Sequence, residues 1–304
     1  MIRKIVPAIM AVTLILHIPA VSAQENSDGA SGFSAGFFAA RSFVDGLLNE
    51  YSPEDSESPF AGIENTAKEV LTVRNGPVKN TPDTVTSKNN QMLTENGVDG
   101  KKIVILDVPY INQRIHFPNG CESVSAVMAL QYIGVKITPE KFVADYLDMG
   151  QAPYIKNGIF YACDPKEYFP GDPRTSGGWG CYPGVIKKAA DKMGLENIRA
   201  VVLKDVSLST LCSEYIDNDI PVVFWGTIDM KAPGTGITWT IEGTEQTHTW
   251  TTPFHCLLLV GYDGTGYYFN DPWQSKSIRY DRDAVETAYS GIGRHALVFV
   301  KNSK

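Results

Sequence analysis

The stretch Phe117–Gly134, FPNGCESVSAVMALQYIG, decides how this chain reads. Pro118, Asn119 and Gly120 break regular structure ahead of it. From Cys121 onward, Val124, Val127, Met128, Leu130 and Ile133 recur at spacings of three and four, and Gly134 ends the run. That spacing predicts an apolar helix with Cys121 in its first turn. Unpaired amide hydrogens and the positive end of the helix dipole meet there. Both favour thiolate over thiol, so the position is one that lowers a cysteine pKa and makes the sulfur nucleophilic. The question is then whether the rest of the chain supplies a partner.

The flanking segments set the context. Residues 1–23 read as a secretory signal: Arg3 and Lys4 are followed by an apolar run from Ile5 to Ile18, and Val21-Ser22-Ala23 forms a small-residue cleavage site. The run is short for a membrane span, no cysteine follows the site to take a lipid, and the chain closes on LVFVKNSK. The expectation is a secreted, extracellular protein without a stable membrane anchor. Residues 24–101 are rich in Ser, Asn, Thr, Asp and Glu and read as a polar linker or pro-segment. Residues 102–304 read as one domain of ordinary size. The formal net charge is −7, and −9 once Arg3 and Lys4 leave with the signal, which argues against nucleic acid or an anionic membrane as the main partner.

Within residues 102–304 the predicted order is a strand (IVILDVPYI), the Cys121 helix, and a second helix capped by Thr138 and ended by Gly150. A long loop, 151–180, comes next. Helices at YPGVIKKAADKMG and SLSTLCSEYIDND follow, then a strand at IPVVFWGTI, a hairpin at HCLLLVGYDGTGYYFNDPW and a last strand at HALVFV. Helices first and mostly antiparallel strands after them give an α+β class.

Five cysteines remain after export, so at least one thiol is unpaired within the chain. Cys163 and Cys181 bracket a long Gly- and Pro-rich segment that a disulfide between them would restrain, and the sequence leaves that bond open. Cys212 and Cys256 read as core residues. Short ligand spacings are missing, so no metal is expected.

A cysteine nucleophile needs an imidazole, and the imidazole needs an orienting group. Of the five histidines, His17 leaves with the signal, His116 sits in a loop, His248 lies in a Thr-rich stretch, and His295 has no acid after it. His255 stands where TWTTPF gives way to the apolar CLLLV, and the hairpin's second strand runs to Asp271. A three-residue loop, Tyr262-Asp263-Gly264, pairs Gly261 with Thr265, Leu259 with Tyr267, Leu257 with Phe269 and His255 with Asp271, on one face. A two-residue Asp-Gly loop puts His255 and Asp271 on opposite faces, so spacing alone leaves both arrangements open. Gln113, in the loop ahead of Cys121, is a candidate amide donor to an oxyanion, beside the backbone N–H of Cys121.

VPYINQ, PNGCESVSAVMALQYIG, HCLLLVGYD and YYFNDPW, in that order, resemble the papain-like cysteine peptidases of the bacteriocin-leader-processing type, and more closely their free-standing secreted relatives, the peptidase C39-like proteins. The resemblance covers roughly Val108 to Val300. It implies a papain-like fold, with the nucleophile helix packed on a mostly antiparallel sheet. It also implies Cys121 as nucleophile, His255 as base, Asp271 as orienting acid and Gln113 as oxyanion donor, with no cofactor. Transporter-linked members carry Asp before the cysteine and Gly after it, where this chain has Gly120 and Glu122. Cleavage after a double-glycine leader is therefore not carried over.

The expected activity is peptide-bond hydrolysis on a peptide or protein substrate, cell-wall peptide included. The competing readings are a peptidoglycan stem-peptide amidase or endopeptidase and a non-catalytic binding module on the same scaffold. Trp179, Trp239, Trp250 and Trp273 read as cleft lining or rim packing, Trp273 as packing. The segment 151–180 reads as a lid or substrate rim.

Overall fold

The computed structural model describes residues 92–96 and 102–302. The expected signal segment 1–23 and the rest of the expected linker lie outside the described residues. Strand β1 (Met92–Asn96) belongs to that linker, yet it pairs antiparallel with β2 (Lys102–Leu106), so the folded part begins earlier than composition implies. Among the described residues no helix is long and apolar enough to cross a membrane.

Helix α1 (Cys121–Tyr132) follows the irregular segment 107–120. It is buried on every side, Glu122, Ser123 and Ser125 included. Ser125, Ala126 and Ala129 lie between the larger apolar positions, and their small side chains let neighbouring elements approach closely. Thr138 caps α2 (Pro139–Tyr146) by accepting a bond from the Lys141 N–H at 3.3 Å. That helix stops at Tyr146 rather than Gly150, because Met149–Gly150 (β3) pairs parallel with Phe169–Pro170.

The segment expected to be a loop is ordered. It contains β4 (Tyr154–Lys156), β5 (Ile159–Ala162) and β6 (Phe169–Pro170). Helix α3 (Pro183–Lys192), β7 (Ile198–Lys204), α4 (Leu208–Glu214, capped by Ser207) and β8 (Val222–Thr227) follow. Then come β9 (Gly234–Ile241), β10 (Thr247–Thr252), β11 (Phe254–Tyr262), β12 (Gly266–Asn270), β13 (Ile278–Asp281), α5 (Arg282–Ile292) and β14 (His295–Lys301). Strands β4, β5, β9 and β10 form a second small sheet. Besides the strands in the expected loop, β1, β3, β7, β9, β10, β13 and α5 were not read from the sequence.

All pairings of the main sheet are antiparallel. The α+β class expected from the sequence is what the chain adopts. Strand β11 is the sheet's hub: it pairs with β8 from Phe254 to Leu259, with β2 at Gly261 and Tyr262, and with β12 from Leu258 to Tyr262. The sheet carries a helix on each face. Cys256 and Trp225 are cross-strand partners, and Ser125 of α1 donates to the Cys256 carbonyl at 3.3 Å. On the alternate face, Phe224 stacks on Tyr289 of α5 with ring centroids 4.6 Å apart.

The main chain of β2 lies so close to Gly261 that a Cβ there would meet the Val104 carbonyl oxygen at 2.2 Å. Gly261→Ala is expected to force β2 off the hub and destabilise the fold by about 3 kcal/mol. A melting curve of the variant compared with the parent checks this.

Candidate active site

The β11–β12 hairpin does not adopt the expected register. Tyr262 pairs with Tyr267 and Gly261 with Tyr268, whereas Leu259 pairs with Phe269 and Leu258 with Asn270. Val260 is thus an extra residue, a β-bulge, and the register slips by one across it. The pairings Leu259–Tyr267, Leu257–Phe269 and His255–Asp271 are overturned. The shared face survives because of the bulge. Carried one pair further, the observed register sets Asp271 opposite Leu257, two residues along the same face from His255. Without the bulge, Asp271 would fall opposite Leu258 and face away. The connection itself is closed by Asp263, whose Oδ1 accepts from the N–H groups of Thr265 at 2.6 Å and Gly266 at 2.7 Å.

His255 and Asp271 meet at 2.8 Å, Nε2 to Oδ1, and their side chains are 4% and 1% exposed. Asp271 is held from several directions. Its Oδ1 also accepts from the Trp273 N–H at 2.9 Å, and its Oδ2 from the Tyr280 hydroxyl at 3.0 Å. The Tyr110 hydroxyl donates to its backbone carbonyl at 3.1 Å. Burial pushes the carboxyl toward a higher pKa, but the His255 charge and hydrogen bond, the Trp273 amide and the Tyr280 hydroxyl outweigh it and hold the carboxyl below its ordinary value. An ionised carboxylate only accepts. Nε2 of His255 is therefore the donor in this bond, and in the neutral form of the imidazole Nδ1 carries the lone pair.

Cys121 opens α1, with Gly120 as the capping residue. Ser125 of the same helix donates to the carbonyl of Cys256, the residue after His255, at 3.3 Å, so α1 lies against the start of β11. The Cys121 thiol donates to Oε2 of Glu122 at 3.4 Å. The helix start does not act on this sulfur alone. The Cys121 pKa is raised well above its ordinary value, first by burial and next by the Glu122 charge, with the Cys256 amide opposing both. The helix terminus is present, but it is dry and carries a carboxylate.

Gln113 is 2% exposed. Its backbone N–H donates to Pro272 O at 2.9 Å, which ties its loop to the residue after Asp271, and its Nε2 donates to Pro118 O at 3.3 Å. One amide hydrogen of the side chain remains for another acceptor.

Glu122 is the residue that sequence reading passed over, noting it only as a departure from transporter-linked proteins. It is fully buried. Its Oε1 accepts from the Cys181 N–H at 2.7 Å. Gly180 makes that approach possible: its φ is +146°, and a Cβ there would meet Glu122 Oε1 at 2.7 Å. Burial pushes the Glu122 carboxyl up to about 7, against hydrogen bonds from its own amide, Cys181 and Cys121 and against the His255 charge. The available signal was a glutamate at the second position of an otherwise uncharged buried helix.

The other expectations resolve as packing. Trp239 and Trp250 are buried in the small-sheet cluster with Tyr182, and Trp179 packs edge-on against both. Trp273 is partly buried under the Arg114 guanidinium, 5.0 Å from its ring centroid. His248, expected to lack apolar support, is wedged between Trp239, Trp250 and Tyr182. His295 packs on Tyr182 as well. Cys163 and Cys181 are separate buried thiols, as are Cys212 and Cys256. Backbone bonds restrain their segment instead, among them Gly171 N to Gly150 O at 2.9 Å and Trp179 N to Pro170 O at 3.0 Å.

Comparison with known proteins places this geometry in context. A family model described as the Peptidase_C39 like family matches residues 105–297. The uncharacterized protein YvpB of Bacillus subtilis (strain 168) is 28% identical over 201 residues, covering 64% of this chain and 76% of that protein. A crystal structure of a candidate C39-like peptidase from Bacillus anthracis superposes with a TM-score of 0.57 at 30% identity, covering 66% of this chain and 99% of that one.

Glu122 also sets a pH dependence of folding. Its pKa rises from 4.5 to about 7, so between those values the native protein holds a proton that the unfolded chain has released. The stabilisation is full below about pH 4.5 and is lost as pH rises through about 7. Denaturant melts at pH 4.5, 6 and 8 are expected to show a loss on the order of 3 kcal/mol that is absent from Glu122→Gln.

Proposed function

The chain belongs to the peptidase C39-like family, and on that premise we propose that it is a cysteine peptidase with a papain-like fold that hydrolyses peptide bonds through Cys121, His255 and Asp271. The observation that carries the reading is the buried His255–Asp271 pair at 2.8 Å, at the head of the strand that the Cys121 helix lies against through Ser125 and the Cys256 carbonyl.

In this reading, Nδ1 of His255 takes the proton of Cys121, and the sulfur attacks the carbonyl carbon of the scissile bond. The carbonyl oxygen becomes an oxyanion, which the Cys121 N–H and the remaining Nε2 hydrogen of Gln113 stabilise. As the carbon–nitrogen bond breaks, the imidazolium gives its proton to the departing amine. A thioester links the acyl group to Cys121. His255 then takes a proton from water, and the resulting hydroxide equivalent displaces the sulfur and releases the acid. Asp271 fixes the ring and stabilises the transient imidazolium, the role that its other donors, the Trp273 and Gln274 amides and the Tyr280 hydroxyl, equip it for. The same proposal has residues 1–23 direct export, so the substrate is a peptide or protein outside the cytoplasm.

A peptide-library digestion with the expressed chain, read by mass spectrometry, tests it. Cys121→Ala and His255→Ala are each expected to lower kcat/KM by about 1,000-fold or more. Undiminished hydrolysis by Cys121→Ala would overturn the reading.

A further inference from the structure

The mechanism above leaves Glu122 unused, although its carboxylate is among the most deeply buried charged groups near the nucleophile. One oxygen is fixed by the Cys181 N–H at 2.7 Å, and the other faces the Cys121 thiol at 3.4 Å. The thiol proton therefore already has an acceptor in Oε2 of Glu122, in competition with the one that the proposed mechanism assigns to it, Nδ1 of His255. Only the second leads to attack on a substrate.

On the peptidase reading, we propose that Glu122 is a positioning residue that controls the charge of the nucleophile. When the carboxyl is ionised it holds the Cys121 proton and opposes a second negative charge beside it. When the carboxyl is protonated it no longer accepts that proton and its negative charge is gone, and Cys121 can pass its proton to His255. The exchange is a proton transfer alone, with no oxidant or co-reactant.

The titratable groups around this carboxyl come from three elements. Cys121 shares its helix. Cys181 comes from the segment before α3. His255 and Cys256 come from β11, with Asp271 acting on Cys121 from beyond β12. Burial raises the thiols of Cys181 and Cys256 well above their ordinary range, so they stay neutral across the pH range of the test. Of the carboxyls in this group, Asp271 is held low by its own donors and is ionised throughout, whereas burial lifts Glu122 to about 7.

The test is the rate of Cys121 alkylation by iodoacetamide from pH 5 to pH 9, followed at that residue by mass spectrometry. Parent and Glu122→Gln are compared, both checked for folding by circular dichroism. Gln keeps an oxygen for the Cys181 N–H and removes the charge. The two proteins are expected to react at equal rates at pH 5, where the parent carboxyl is protonated. They are expected to diverge above pH 7 until Glu122→Gln is about tenfold faster, the effect of one pKa unit.

A ratio that is constant across the range would mean that Glu122 only packs and would overturn the proposal. Should Glu122→Gln fail to fold, the parent's own profile decides. An inflection near pH 7 that persists in His255→Ala supports the carboxyl, and its disappearance in His255→Ala assigns the inflection to the imidazole and refutes the proposal. A Cys121 that resists alkylation at every pH would instead count against the peptidase reading itself.

Discussion

The site depends on a single extra residue in β11. Val260 bulges out of the pairing with β12, and that one-residue slip is what returns the Asp271 side of the hairpin to the face that carries His255. Since side chains alternate along a strand, a perfectly regular ladder with the same closing pair would have turned the carboxylate away. The bulge is held by its surroundings. Beside it, Gly261 lets the β2 main chain come into van der Waals contact, and Asp263 ties down the turn.

Once the two strands are fixed, the remaining parts are drawn in by backbone groups. Asp271 collects the Trp273 amide and the Tyr280 hydroxyl in addition to the imidazole, and the following residue, Pro272, accepts the Gln113 amide. A buried carboxylate surrounded by donors in this way is rigid, because moving it would break several hydrogen bonds in a medium without water to replace them. The first turn of α1 is attached to the same strand through Ser125 and the Cys256 carbonyl. Residues separated by more than a hundred positions are therefore positioned by one hairpin.

Around the sulfur, two effects work against each other. A helix start favours negative charge, but burial and a carboxylate at the next residue oppose it, and here they win. The field of a helix terminus is worth of the order of 1 kcal/mol, while removal of a charged group from water costs several times that. A cysteine at a helix start is for this reason not by itself a sufficient sign of a reactive thiol. The glutamate that tips the balance is itself pinned by Cys181, from a segment that composition presented as loose.

The linear order of residues determined the apolar helix beginning at Cys121, the hydrophobic strands 222–227 and 254–262 and the α+β class, and it named His255 and Asp271 as candidates without deciding that they meet. The elements follow from local periodicity. Tertiary structure alone decided the rest. The β-bulge, the strand before β2 and the aromatic packing of His248 all depend on partners far away in the chain. So does the charge at Cys121, because electrostatic energies are set by how much water and which neighbours surround a group, and no window of sequence contains either.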